Sequence, residues 1–182
     1  MSNSAKAVEV PDLFPDPHLR YRLDVIALDV AGLVAAAGGW LYNRVATGWD
    51  VTVAVPESVD LRPLQILGVT TADLEAELSM PESAAGQCLA VVVDAVVTDA
   101  RISHRVQAAL RHSLTEVVVW GHSWPMDHRL NHVRHLPTAA GRAFKRQALL
   151  AAKTDAGVVG PELFLSDQKH SLPTDSDLVS VD

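Results

Sequence analysis

Six of the chain's eight histidines fall between residues 101 and 146: His104, His112, His122, His128, His132 and His135. The same window holds Arg101, Arg105, Arg111, Arg129, Arg134, Arg142, Lys145 and Arg146, opposed only by Glu116 and Asp127. Its net charge is +6, and the remaining seven basic and twenty acidic residues leave −13 elsewhere. Imidazoles can bind metals or carry protons, and guanidinium groups donate paired hydrogen bonds to phosphate or carboxylate. A sign asymmetry of this size suggests a surface that meets an anion.

Two sharper constellations lie inside the window. His128 and His132 are four residues apart, and His135 follows three later, so a helix would carry the first two imidazoles on one face. With His122 or Asp127 as a third ligand, the set could hold zinc. Arg129 and Arg134 oppose this by like charge. The second constellation is Gly121-His122-Ser123-Trp124-Pro125, which follows an apolar run. It resembles the nucleophile elbow of α/β-hydrolases, in which a sharp turn exposes a serine. That resemblance would make Ser123 the nucleophile, with His122 and Asp127 as weaker candidates. Pro125 stands where the elbow has a small residue. Ser123 also suits the N-cap of a helix with Pro125 in its first turn.

The broader expectation is anion binding by Arg101, Arg105, His122, Trp124, Arg129, Arg142 and Arg146. Arg101, Arg105 and Arg111 decorate one predicted helix. Arg142, Lys145, Arg146 and Lys153 share a face of another. If those faces adjoin, they form one cationic surface. The partner would be a phosphorylated small molecule, a nucleic acid or an acidic protein surface, with nucleic acid disfavoured by the overall charge of −7. The alternatives are a small hydrolase using Ser123 or a histidine-bound metal, and a self-associating scaffold whose basic and acidic halves pair between subunits. No cofactor is indicated. The chain has no P-loop and no glycine-rich dinucleotide fingerprint after a strand.

The elements that must position these residues follow from periodicity. The 182 residues, 48% apolar and 20% charged, suit one globular domain. Cys88 is the single cysteine, and the proline-punctuated start lacks an apolar signal core, so the expected compartment is the cytoplasm. Val25 to Leu41 is too short and too rich in Ala and Gly for a membrane span. Residues 1–20 are expected as an irregular arm, 21–153 as a single α/β domain, and 154–182 as a loosely ordered acidic tail.

Within the domain, Asp24 caps a helix running to about Thr47, ended by Gly48. Gly38-Gly39 inside it implies close approach of another backbone. Strands are expected at Val51–Val55, Leu64–Val69, Leu89–Val93 and Glu116–Trp120. Helices are expected at Ala72–Leu78 (capped by Thr71), Asp99–His112 (capped by Thr98) and Ala139–Lys153. The short link between the first two strands predicts antiparallel or absent pairing there. The rest predicts parallel crossovers, giving a Rossmann-like three-layer sandwich, mostly parallel with one antiparallel strand. In such sheets ligands bind beyond the carboxyl ends of the strands, and the end at Gly121 opens into the basic window.

Overall fold

The computed structural model of the protein describes residues 21–80, 87–112, 114–126, 129–157, 159–168 and 177–181. The fold is α/β, with helices on both faces of a mostly parallel sheet. Strand β1 (Arg22–Ile26) leads into helix α1 (Val30–Ala46) and strand β2 (Asp50–Val55). Helix α2 (Arg62–Leu67), strand β3 (Thr70–Asp73) and helix α3 (Leu74–Ser79) follow. Strand β4 (Cys88–Val92), helices α4 (Val93–Thr98) and α5 (Ala100–Arg111) and strand β5 (Glu116–Trp120) complete the parallel part. The remaining elements are strand β6 (Asn131–His135), helix α6 (Ala139–Ala151), strand β7 (Glu162–Ser166) and strand β8 (Val179–Ser180).

The strand order is β3-β2-β1-β4-β5-β7-β6-β8. The first five pair in parallel. The last three form an antiparallel extension, with β7 inserted between β5 and β6. Two apolar clusters fill the sandwich. Leu33, Val34, Trp40 and Leu41 of α1, Leu64 and Leu67 of α2 and Leu149 of α6 pack on one face against Val25, Val53, Val118, Val133 and Phe164. Leu74, Leu78, Val96, Ile102, Val106 and Leu110 pack on the other against Ile26, Val91, Val117 and Val119. The alternation of Val117, Val118 and Val119 between the clusters is the two-residue period of a strand covered on both faces.

Several expectations are corrected. Residues 22–26 are a strand, not the first turn of α1. Asp29 rather than Asp24 caps the helix, its Oδ1 accepting from Gly32 N at 2.6 Å. A doubly covered strand is continuously apolar, and periodicity does not separate it from a buried helix. Residues 62–67 are a helix, with Pro63 in its first turn and Gly68 left-handed at its end (φ 76°). That helix supplies the crossover that makes β2 and β3 parallel neighbours. Asp73 and Asp99 replace Thr71 and Thr98 as caps. The expected loose segment after Thr154 contains β7 and β8. Residues 1–20 lie outside the described residues.

One buried ion pair explains how β7 is held. Lys145 Nζ lies 2.6 Å from Glu162 Oε1, and the two side chains are 6% and 1% exposed. Glu162 accepts from Gly39 N at 2.8 Å and Trp40 N at 2.7 Å, and Lys145 Nζ donates to Ala35 O at 2.7 Å. The pair is therefore seated on the backbone of α1. Side chains reach it because Gly38 and Gly39 have none: a Cβ at Gly39 would lie 2.6 Å from Pro137 Cγ and 3.2 Å from Glu162 Oε1. Gly141 of α6 is as tightly placed, its added Cβ 2.6 Å from Asn43 Oδ1 and 3.3 Å from Gly39 O. The backbone approach expected at Gly38-Gly39 is the crossing of α1 and α6.

Removing one partner strands a buried charge, which typically costs about 3–5 kcal/mol. Lys145→Met should lower the unfolding free energy in urea by about that amount. The double change Lys145→Met with Glu162→Gln should cost less than Lys145→Met alone. A loss below about 1 kcal/mol for the single variant would mean that Glu162 is relieved in some other way.

Candidate functional site

The crevice rule singles out β1 and β4. The chain leaves β1 through α1 on one face of the sheet and leaves β4 through α4 and α5 on the other. Ligands bind where the winding reverses in this manner. The loop beyond β1 carries Ala27, Leu28 and Asp29, and the end of β4 carries Val93 and Asp94. Beside them, β5 ends in Gly121, whose φ of 113° is a backbone conformation that side-chain-bearing residues rarely adopt. Asp29, Asp94, His122 and Ser123 are all exposed there. Reading β1 as helix hid Asp29 and Leu28. Recognising Val25-Ile26-Ala27 as a strand end would have found them.

Ser123 has a left-handed backbone (φ 61°). The strand–turn–helix context of an elbow is absent, because residues 121–126 form no helix and the next described element is β6. For the same reason Ser123 does not cap a helix. The histidine spacing is corrected as well. His132 and His135 lie on a strand, where positions three apart face opposite ways. His132 is exposed, whereas His135 is buried with Nε2 2.9 Å from Asn43 Nδ2. Asn43 in turn accepts from Thr138 Oγ1 at 2.8 Å, which orients the amide to donate to His135. Asp127 and His128 lie outside the described residues. Trp124 is half-buried and packs with Met126 and Leu130 against the α3–α5 side of the core.

The two basic helices do not adjoin, since α5 and α6 cover opposite faces of the sheet. On α5, Arg101 is fully engaged: Nη2 lies 2.7 Å from Asp99 Oδ2, and Nη1 and Nη2 each lie 3.0 Å from Glu75. The bonds to Arg101 hold the Asp99 carboxyl below its ordinary range and raise the arginine's own. Arg105 donates to the carbonyl oxygens of Glu77 and Met80. These two arginines, with His104, Leu78, Met80 and Ala100, line a cavity of about 460 Å³, but they spend their donors on the protein itself. On α6, Lys145 is interior, and Arg142 donates to Pro137 O at 2.7 Å. Arg129, Arg142 and Arg146 are exposed, as is Arg134 on β6.

No family model and no curated protein matches the sequence. Solved structures match in shape. The chain superposes on Dbv21, the deacetylase of the antimicrobial reagent A40926 pseudoaglycone, with a TM-score of 0.57 at 13% identity, covering 80% of this chain and 96% of that one. A triple mutant (Orf2*T) of a deacetylase involved in the teicoplanin biosynthetic pathway gives 0.54 at 12% identity, covering 89% and 99%. The zinc-inhibited form of the teicoplanin deacetylase Orf2 gives 0.52 at 12% identity, covering 88% and 99%. At these identities the likeness is one of fold.

The histidine spacing raised zinc as an expectation for this chain. A catalytic zinc site takes three protein ligands from His, Cys, Asp or Glu. Among the described residues no group of three such side chains could hold an ion. Asp29 already spends a carboxylate oxygen on Gly32 N. The described donors of the crevice do not fit the metal.

A second polar group lies at the amino ends of β4 and β5, away from the crevice. Cys88 and Glu116 are register partners there, both buried, and Ser166 Oγ donates to Glu116. Burial, reinforced by Glu116, pushes the Cys88 thiol well above its ordinary value, which keeps it a protonated core residue. Burial also raises the Glu116 carboxyl above its ordinary 4.5, against the smaller downward pulls of Ser166 and Arg44. A raised carboxyl means that the fold holds a proton the unfolded chain releases. That stabilisation is complete below the unfolded value and is lost as pH rises through the folded one. Glu116→Gln should therefore gain stability relative to the parent between pH values of about 4 and 7, measured by urea unfolding at both. A gap that moves the other way would show that the bond from Ser166 outweighs burial.

Proposed function

We propose that the protein is a binding component for an acidic protein partner, built on a fold shared with deacetylases. The observation that carries this reading is a contrast among cations. Arg22, Arg44, Arg101, Arg105 and Lys145 each have a carboxylate of the chain itself within 4.0 Å. Arg129, Arg134, Arg142 and Arg146 are exposed and have none among the described residues, which is also true of Arg62, Arg111 and Lys153. In a chain of net charge −7, basic side chains that decline abundant internal acid are available for an external one. The same net charge opposes a polyanion as long as nucleic acid, and the exposed aliphatic residues beside Arg134 favour a protein.

A second reading is a hydrolase acting in the crevice between β1 and β4, with His122 and Asp94 as its polar groups. The observation that favours it is that the three structural neighbours are deacetylases.

Two measurements separate these readings. A labelled polyglutamate peptide should bind, weaken with added salt, and lose roughly tenfold in affinity when Arg134 or the pair Arg142 and Arg146 is changed to Glu. A single-stranded DNA of equal charge should bind no better. Zinc analysis of the purified protein, with an N-acetyl amide hydrolysis assay, covers the alternative. Stoichiometric zinc with hydrolysis abolished by His122→Ala would replace the binding reading.

A further inference from the structure

Among the described residues, helices cover the antiparallel extension on one face only. Val133 and Phe164 turn toward α1 and α6 and are buried. The other face continues the side that α3, α4 and α5 cover over the parallel strands, because Leu165 pairs with Val119 and packs with that cluster. Over β6, β7 and β8 no helix among the described residues continues that cover. Leu163 is 66% exposed, Val179 55% and Val181 42%.

Register arranges these residues in two rows. Arg134 is opposite Leu163 on one side and Val179 on the other. His132 is opposite Leu165, and its carbonyl accepts from Val181 N on the far strand. Directly opposed residues of an antiparallel pair share a face. Each row is thus aliphatic, then basic or imidazole, then aliphatic. Neither Arg134 nor His132 has an acidic partner among the described residues.

We infer that this face docks an amphipathic helix of a partner protein, one whose apolar stripe is flanked by carboxylates. The inference rests on the binding reading above and gives it a location. A helix is the element that covers such a face in this architecture, as α5 does over β5. The apolar stripe covers Leu163, Val179 and Val181. The carboxylate meets Arg134, whose aliphatic stem lies between two apolar neighbours and whose head forms a paired hydrogen bond. A second copy of the chain would bring Arg134 toward another Arg134 across a two-fold axis, which like charge opposes.

The test uses a labelled synthetic helix with a Leu stripe flanked by Glu, measured by fluorescence anisotropy against the full chain. Two control peptides replace Leu by Ser or Glu by Lys. The Leu–Glu peptide should bind best. Leu163→Ser, Val179→Ser and Arg134→Glu should each weaken it by roughly tenfold, with circular dichroism and melting unchanged because all three side chains are exposed. Arg62→Glu, exposed on α2 across the sheet, should leave it unaltered. Loss confined to the Arg142 and Arg146 variant would overturn this location while leaving the acidic-partner reading intact. Equal binding by every variant would remove both. Light scattering that shows a dimer broken by Leu163→Ser would overturn the partner in favour of a second copy.

Discussion

The fold depends on an ammonium and a carboxylate that have left water together. Each charge in the Lys145–Glu162 pair is tolerable inside only while the other, and the backbone groups around it, stay in place. Ala35 O, Gly39 N and Trp40 N supply those groups. The consequence is mutual: α1 must be glycine-bare where the pair arrives, α6 must lie across it, and β7 must begin beneath both. Three segments distant in sequence are fixed by one requirement, that no buried charge be left unmet. Arg44 repeats the theme nearby. It is buried, 2.6 Å from Asp177, and stacked 3.9 Å over Trp49, a flat cation held between a carboxylate and an aromatic ring.

Seating β7 there decides the shape of the sheet's far side. Because β7 enters antiparallel between β5 and β6, the crossovers that place helices on both faces of the parallel strands do not continue past β5. The face that carries Glu162 is covered, since α1 and α6 meet the ion pair on it. The face that carries Leu163 has no such anchor among the described residues. One residue along β7 separates the most buried carboxylate among the described residues from one of the most exposed leucines, and the strand's two-residue period enforces that change.

How much of this was legible depended on whether the signal was local. Strands β2, β4 and β5 and helices α5 and α6 are marked by turns and apolar runs that read directly, although α5 is capped one residue later than expected. Helix α2 carried its own start and stop in Pro63 and Gly68, but a six-residue apolar stretch between them invites a strand assignment, and length alone separates the two. Strand β1 was swallowed by α1 because both are apolar on every side. Strand β7 was missed because Glu162 and Ser166 look like surface residues, and only Lys145 and Glu116, far away in sequence, explain them. The candidate site shows the same limit. The location beyond the sheet's carboxyl ends was readable in outline, whereas Asp29 was invisible until β1 existed. The engagement of Arg101 and Arg105 by Glu75, Asp99 and two carbonyl oxygens is tertiary or conformational, and composition does not reveal it.

The charge asymmetry of residues 101–146 therefore divides by partner rather than by position. Lys145 is spent on holding the fold. Arg101 and Arg105 are spent on joining α5 to α3. Arg134 sits on an open strand face with apolar neighbours and no acid of its own among the described residues. The first two groups count as positive charge in a composition but present little of it to a ligand, because each is offset by a nearby carboxylate and the field that remains is screened by salt beyond a Debye length of about 8–10 Å. What a partner meets is the remainder, and along the antiparallel extension that remainder is interleaved with aliphatic side chains. A purely electrostatic ligand gains nothing from those neighbours, whereas a protein segment with both apolar and acidic groups gains from each. For the proposed partner, then, the surrounding leucine and valines, more than the number of arginines, would set what this face selects.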